Sequence, residues 1–205
     1  MKPEIDKKAN KEAIAELLKS TGRDGVDETI EYLEEVGFFR APASAAHHLA
    51  VEGGLAQHSL NTCKAALEIW EGMKALDSSL EYGVKRENII IAALLHDVCK
   101  SNSYQKSPRR RKNDLGQDET FMGFKAVDSP LPIGHGEKSL IMLLYNTPLE
   151  LTDEEMLAIR WHMGPWGLNF TNGEECRLYD GANNRPLVPI IYSADLLASR
   201  IIEND

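Results

Sequence analysis

Cysteine is scarce in this sequence. Cys63, Cys99 and Cys176 are the three among 205 residues, widely spaced and odd in number. No disulfide framework follows from them, nor a cysteine-based zinc motif, so a reducing compartment, the cytoplasm, is the expected setting. Long hydrophobic runs are also missing. No apolar stretch approaches the ~20 residues that span a bilayer, and Met1-Lys2-Pro3-Glu4-Ile5-Asp6 is too polar and acidic for a signal peptide. Positive charge is in deficit, with 23 Lys and Arg against 32 Asp and Glu and a net charge of −9. That balance disfavours coating a long nucleic-acid backbone. It leaves open a small anionic substrate such as a nucleotide, or a short single-stranded nucleic-acid end, held in a local basic site. Internal repeats and low-complexity tracts are absent too. Hydrophobic content of 42% and charged content of 27% are those of an ordinary globular chain long enough for a real core.

What is present is helical periodicity. Residues 4–20 carry Ile5, Ile14, Leu17 and Leu18 on a rough apolar face, and 26–36 carry Ile30, Leu33 and Val36 before Gly37. These N-terminal helices, within residues 1–40, are expected to pack on a core unit formed by 41–205. Ala41 to His48 reads as a connector. Gly53-Gly54 then opens a long helix through Leu55, His58, Cys63, Leu67 and Trp70, and residues 86–99 form the most apolar helix, expected at the centre. From 101 to 132, Pro108, Gly116, Gly123, Pro130 and Pro132 punctuate a polar insertion with room for a short hairpin. Helices resume at 135–146 and after Thr152, where Thr152 and Glu155 form a capping box. Residues 164–187, rich in Gly and Asn, read as an irregular loop, and a last helix covers about 188–203. The fold class is therefore all-α, a bundle with two decorated loops.

The most informative pair is His96-Asp97, which closes the run Ile89-Ile90-Ile91-Ala92-Ala93-Leu94-Leu95. An imidazole and a carboxylate at the end of a buried helix are costly to desolvate without compensation. A metal ion is a common compensation, since both are good ligands. His58, His135, His162 and Asp195 fall on or beside other predicted helices, and a bundle builds a metal site from side chains converging in that way. Six donors with one carboxylate central to the set suit two divalent transition metal ions, with Asp97 bridging them at about 3.5–4 Å. Fe, Mn, Ni and Zn all suit such donors.

The order His58, His96-Asp97, His135, His162, Asp195 resembles the HD-domain superfamily, in its branch with a dinuclear metal centre. His47-His48, Gly53-Gly54-Leu55 and His58 are similar to the opening of the HD domains in certain bacterial 3′–5′ exoribonucleases and conjugative relaxase-associated proteins. His96-Asp97-Val98-Cys99-Lys100 matches the HD-x-x-K form of the central motif. The resemblance spans about residues 41–200. It implies that His58, His96, Asp97 and Asp195 hold a first metal and that His135 and His162 complete a second site. It does not extend to the substrate, because the superfamily spans nucleotidases, phosphodiesterases, nucleases and a few iron oxygenases.

The leading expectation is a metal-dependent phosphohydrolase, in which a hydroxide activated by two ions attacks the phosphorus of a nucleotide or another small phosphate mono- or diester. Asp97 and Lys100 are the candidate catalytic residues. Lys100, Arg109, Arg110, Arg111 and Arg160 are candidate phosphate contacts, the three arginines lying in the one dense basic cluster, Lys106 to Lys112. Trp161 and Trp166 either pack or stack on a base. His47 and His48 are expected to be structural, the alternative being that one of them lines the entrance. Two alternatives belong to other classes: an HD-type diiron oxygenase that cleaves a carbon bond with dioxygen, and a non-catalytic nucleotide-sensing module.

Overall fold

A computed structural model describes residues 5–79, 83–112, 116–129 and 131–203. Pro130 and the first four residues lie outside that set. The described chain is helical apart from one hairpin. Its elements are α1 (Lys7–Lys19), α2 (Val26–Glu35), α3 (Gly54–Leu76), α4 (Arg86–Leu95), β1 (Tyr104–Lys112), β2 (Asp118–Ala126), α5 (His135–Asn146), α6 (Asp153–Trp161), α7 (Gly173–Asn183) and α8 (Leu187–Leu197).

The centre is α4. All seven residues from Ile89 to Leu95 are inaccessible to solvent, so this helix is wrapped on every side. Uniform hydrophobicity around a helix is the signature of such a position. Helices α1, α3, α6 and α8 pack against it. Of the N-terminal pair, α1 also lies on α3, and α2 meets α1 and α5. Helix α1 starts where the Asp6 carboxylate accepts the backbone N–H groups of Lys8 and Ala9. At the start of α6, Thr152 Oγ1 accepts the Glu155 N–H at 3.3 Å and Glu155 Oε2 accepts the Thr152 N–H at 2.8 Å, the capping box expected there. The other Glu155 oxygen accepts from Arg23 at 3.0 Å and Asn88 at 2.8 Å, so a fully buried carboxylate ties three parts of the bundle together.

Four segments depart from the sequence reading. Helix α4 stops at Leu95, and His96-Asp97 turn into a 3₁₀ segment, Val98–Asn102, instead of continuing the helix to 99. The insertion is a longer hairpin than expected, nine residues a side, with Tyr104 opposite Ala126 and Lys112 opposite Asp118. The stretch 164–187 is not irregular. It holds a 3₁₀ turn, Gly164–Gly167, and the three-turn helix α7. The asparagines that suggested a loop include the helix cap: Asn172 accepts the N–H groups of Glu174 and Glu175, whose carboxylates suit the positive end of the helix dipole. The last helix gives way at Ala198–Ile202 to a π turn, closed by Glu203 N–H donating to the Ala198 carbonyl at 3.0 Å.

No helix among the described residues is long and apolar enough to cross a membrane.

Gly54 makes the entry to α3 possible. A Cβ there would collide with the Leu49 carbonyl oxygen, and Leu49 itself adopts a left-handed φ of 43°. Gly54→Ala should cost about 1–3 kcal/mol through overpacking and lower the melting temperature by several degrees, measured by circular dichroism. An unchanged melting temperature would show that the 49–54 turn yields freely.

Candidate metal centre

Each donor predicted from sequence arrives by a different route. His58 lies one turn into α3, just beyond the Gly54 entry. His96 and Asp97 stand at the C-terminal end of α4, where the helix has already brought them to the centre of the protein. His135 is the first residue of α5, and His162 caps the end of α6. Gly136 joins those two helix ends. A Cβ on it would collide with the Arg160 carbonyl oxygen, so only glycine lets α5 start this close to the end of α6. The His135 and His162 rings consequently lie 5.2 Å apart. Asp195 comes from α8.

These six side chains converge. His58 Nε2 is 3.1 Å from Asp195 Oδ1, 3.7 Å from Asp97 Oδ2 and 3.3 Å from His96 Nε2. His96 Nε2 is 3.2 Å from Asp97 Oδ2, and His162 Nε2 is 3.5 Å from Asp97 Oδ1. The two Asp97 oxygens therefore divide between two sets of histidines. Donor atoms of His58, His96 and Asp97 lie within 4.8 Å of one another, as do those of His96, His162 and Asp195 and those of Asp97, His135 and His162. His58, His96 and His162 are fully buried and Asp97 is 1% exposed.

Ring orientation is fixed from behind. His96 Nδ1 donates to the Ala93 carbonyl at 2.8 Å and His162 Nδ1 to the Ile159 carbonyl at 2.7 Å, which leaves both Nε2 atoms facing the cluster. His58 Nδ1 is held by Glu203 at 3.0 Å. Such partners set tautomer and aim in metal-binding histidines.

The electrostatics are those of a site that wants a cation. Burial opposes ionisation of Asp97, but Lys100 and His96 outweigh it and hold the carboxyl well below the usual range. Burial likewise opposes charge on Asp195, and its hydrogen bond to His58 reverses that. On His58, burial is overcome by the hydrogen bonds to Asp195 and Glu203, which push it up to about 9. On His135, burial wins and pushes the imidazole down to about 4, so it is a neutral donor. Both Asp97 oxygens and the Nε2 atoms of His48, His135 and His162 are buried without a hydrogen-bond partner. Unpartnered lone pairs on a carboxylate and on imidazoles clustered within 4.8 Å of other donor atoms fit divalent cations of the transition series.

A family model for the HD domain matches residues 55–200, which is most of the chain. The chain belongs to the HD domain family. This HD domain is also 39% identical over 66 residues to the dihydroneopterin 2′,3′-cyclic phosphate phosphodiesterase of Methanocaldococcus jannaschii. That alignment covers 31% of this chain and 24% of the relative, so the chain spans about a quarter of that protein's length. No solved structure matches it.

The centre of the HD domain forms the floor of a cavity of about 760 Å³. Lys100 is on this floor, its ammonium 2.6 Å from Asp97 Oδ2. Burial disfavours its charge, but Asp97 and Asp195 raise its pKa, and it stays a cation. The other predicted phosphate contacts lie elsewhere. Arg109, Arg110 and Arg111 are exposed along β1 and do not line the cavity. Arg111 pairs with Glu119 across the hairpin at 3.0 Å and stacks over Phe121. Arg160 does not line the cavity either. Its carbonyl packs on Gly136, and its guanidinium pairs with Glu137 and lies 3.9 Å over the Trp161 ring. Trp161 is 7% exposed and packs on Tyr179.

Sequence reasoning undervalued one residue here and missed another. His48, for which the sequence favours a structural role over lining the entrance, lines the cavity with its ring 4.9 Å from His58. Glu203 is the larger omission. It is 145 positions from His58, and only the π turn of Ala198–Ile202 delivers it there. An acidic residue near the end of a helix carries no signal of that kind.

Glu203→Gln keeps the shape and removes the charge behind His58. Loss of such a partner typically costs 10–100-fold in metal affinity, and a loss in that range is expected by competitive chelator titration. Unchanged affinity would mean that His58 is aimed without Glu203.

Proposed function

We propose that this HD domain is a metal-dependent phosphohydrolase that cleaves a small phosphate ester over two divalent cations. The observation that carries this reading is the division of Asp97. One oxygen faces His58 and His96, the other faces His162, and the Lys100 ammonium stands beside them on the cavity floor. His58, His96, Asp97 and Asp195 would hold one ion, and Asp97, His135 and His162 the other. Divalent ions held there supply Lewis acidity toward phosphoryl oxygens and a nucleophile at neutral pH.

The protein's own groups do the rest. Backbone carbonyls of Ala93 and Ile159 and the Glu203 carboxylate keep the three fully buried imidazoles aimed at one place before substrate arrives. Preorganisation of this kind avoids reorganisation during the reaction. Lys100 is positioned to bind a non-reacting phosphate oxygen once Asp97 is engaged by the ions. The cavity is open to solvent through exposed residues at its rim, among them His47 and Trp166, so a small ester can enter. Similarity to an enzyme named for a cyclic phosphodiester makes 2′,3′-cyclic nucleotides and other small diesters the first substrates to examine.

Wild-type protein supplied with Mn, Fe, Ni or Zn should release a phosphate product from at least one small ester. Asp97→Ala should lose metal and turnover together, read by elemental analysis and by chromatography of the monoester or phosphate product. Full metal content and rate in Asp97→Ala would refute the mechanism. Dioxygen uptake by an iron-loaded protein that hydrolyses no ester would refute the reaction class and favour the oxygenase.

A further inference from the structure

One wall of the cavity is aromatic and is not needed to hold metals or a phosphate. Trp166 lines the cavity and is 78% exposed, whereas Trp70 and Trp161 are buried at 6% and 7%. Single exposed apolar residues are ordinary, but this one is held in place. It sits in the 3₁₀ turn Gly164–Gly167, immediately after His162 and Met163. Gly164 has a φ of +56°, and a Cβ there would collide with the Tyr192 ring. The turn is thus pressed against α8 three residues before Asp195. Pro165 stiffens it further, and its carbonyl accepts the Leu168 N–H at 3.2 Å. One rigid frame therefore carries two metal donors, His162 and Asp195, and an exposed indole.

The π turn contributes to the same lining. Ser199 and Arg200 line the cavity. Arg200 is exposed and has no ion pair among the described residues. The cavity lining thus includes both an exposed indole and a guanidinium, together with Lys100, His135, His162 and Asp195. Indole faces stack on planar rings with little sequence preference, since every base has a π-face.

Resting on the phosphohydrolase reading, we propose that Trp166 is the specificity-determining residue of this site, stacking on a planar heteroaromatic ring carried by the phosphate ester. Arg200 acts differently. It attracts the anion whatever the ester carries, as an unpaired arginine near a phosphate does.

Binding tests this without any need for turnover. Calorimetric titration of the protein as purified compares adenosine 5′-monophosphate with ribose 5-phosphate, which share a phosphate and differ in the ring. Wild type should bind the nucleotide roughly ten-fold or more tightly, the usual scale of one stacked base. Trp166→Ala should erase that preference and leave ribose 5-phosphate affinity as it was. Trp166→Phe should restore most of it, which a merely misfolded alanine variant could not explain. Arg200→Gln should weaken both ligands by a similar factor. An equal affinity of wild type for the two ligands, or a preference that survives Trp166→Ala, would overturn the assignment. Ring-selective binding by a protein that hydrolyses no ester would instead overturn the proposed reaction and leave Trp166 as the ring-binding residue.

Discussion

The Asp97 carboxylate is the point on which this structure turns. It is 1% exposed, and an isolated charge so placed would be expensive. Lys100, at 2.6 Å, offsets part of that cost. The rest falls to imidazoles that approach both of its oxygens without making good hydrogen bonds to them. A cluster tuned only for stability would bring such groups closer or replace them with apolar side chains. This one leaves Asp97 Oδ1, His135 Nε2 and His162 Nε2 buried and unpaired.

The fold spends its irregularities on that cluster. Helix α4 is ordinary and buried until it ends, and its end is where His96 and Asp97 stand. Gly54 lets the strained Leu49 turn lie against the start of α3 so that His58 points inward. Gly136 brings two helix ends into contact so that His135 reaches His162. The π turn after α8 brings Glu203 behind His58 and places Arg200 on the rim. Turns of this kind recur at functional sites because they re-aim side chains that a regular helix would send elsewhere.

Much of this was legible in the sequence. The all-α architecture, the central position of the Ile89–Leu95 helix and the Thr152 cap follow from periodicity and cap chemistry. The six candidate donors could be named because His and Asp residues fall in order on or beside different predicted helices, and the structure brings these six side chains together. Charge was a poorer guide. Arg109, Arg110 and Arg111 formed the one dense basic cluster, but a strand pair carries them away from the cavity, and strand pairing cannot be read from charge. Arg160 sits two residues before His162, and its direction depends on the Gly136 contact, a tertiary event. Helix α7 hid behind its own asparagine cap, and Glu203 depended on a turn that leaves no pattern in the chain. Local chemistry predicted what each segment is, and long-range packing decided what each side chain meets.

The account stands on two cations sharing one carboxylate. Elemental analysis of the purified protein against its concentration, followed by stepwise removal with a chelator, measures this directly. The account predicts two transition metal ions per chain, released in two steps. A saturating content of one ion per chain, or none after exposure to excess Mn, Fe, Ni and Zn, would contradict it.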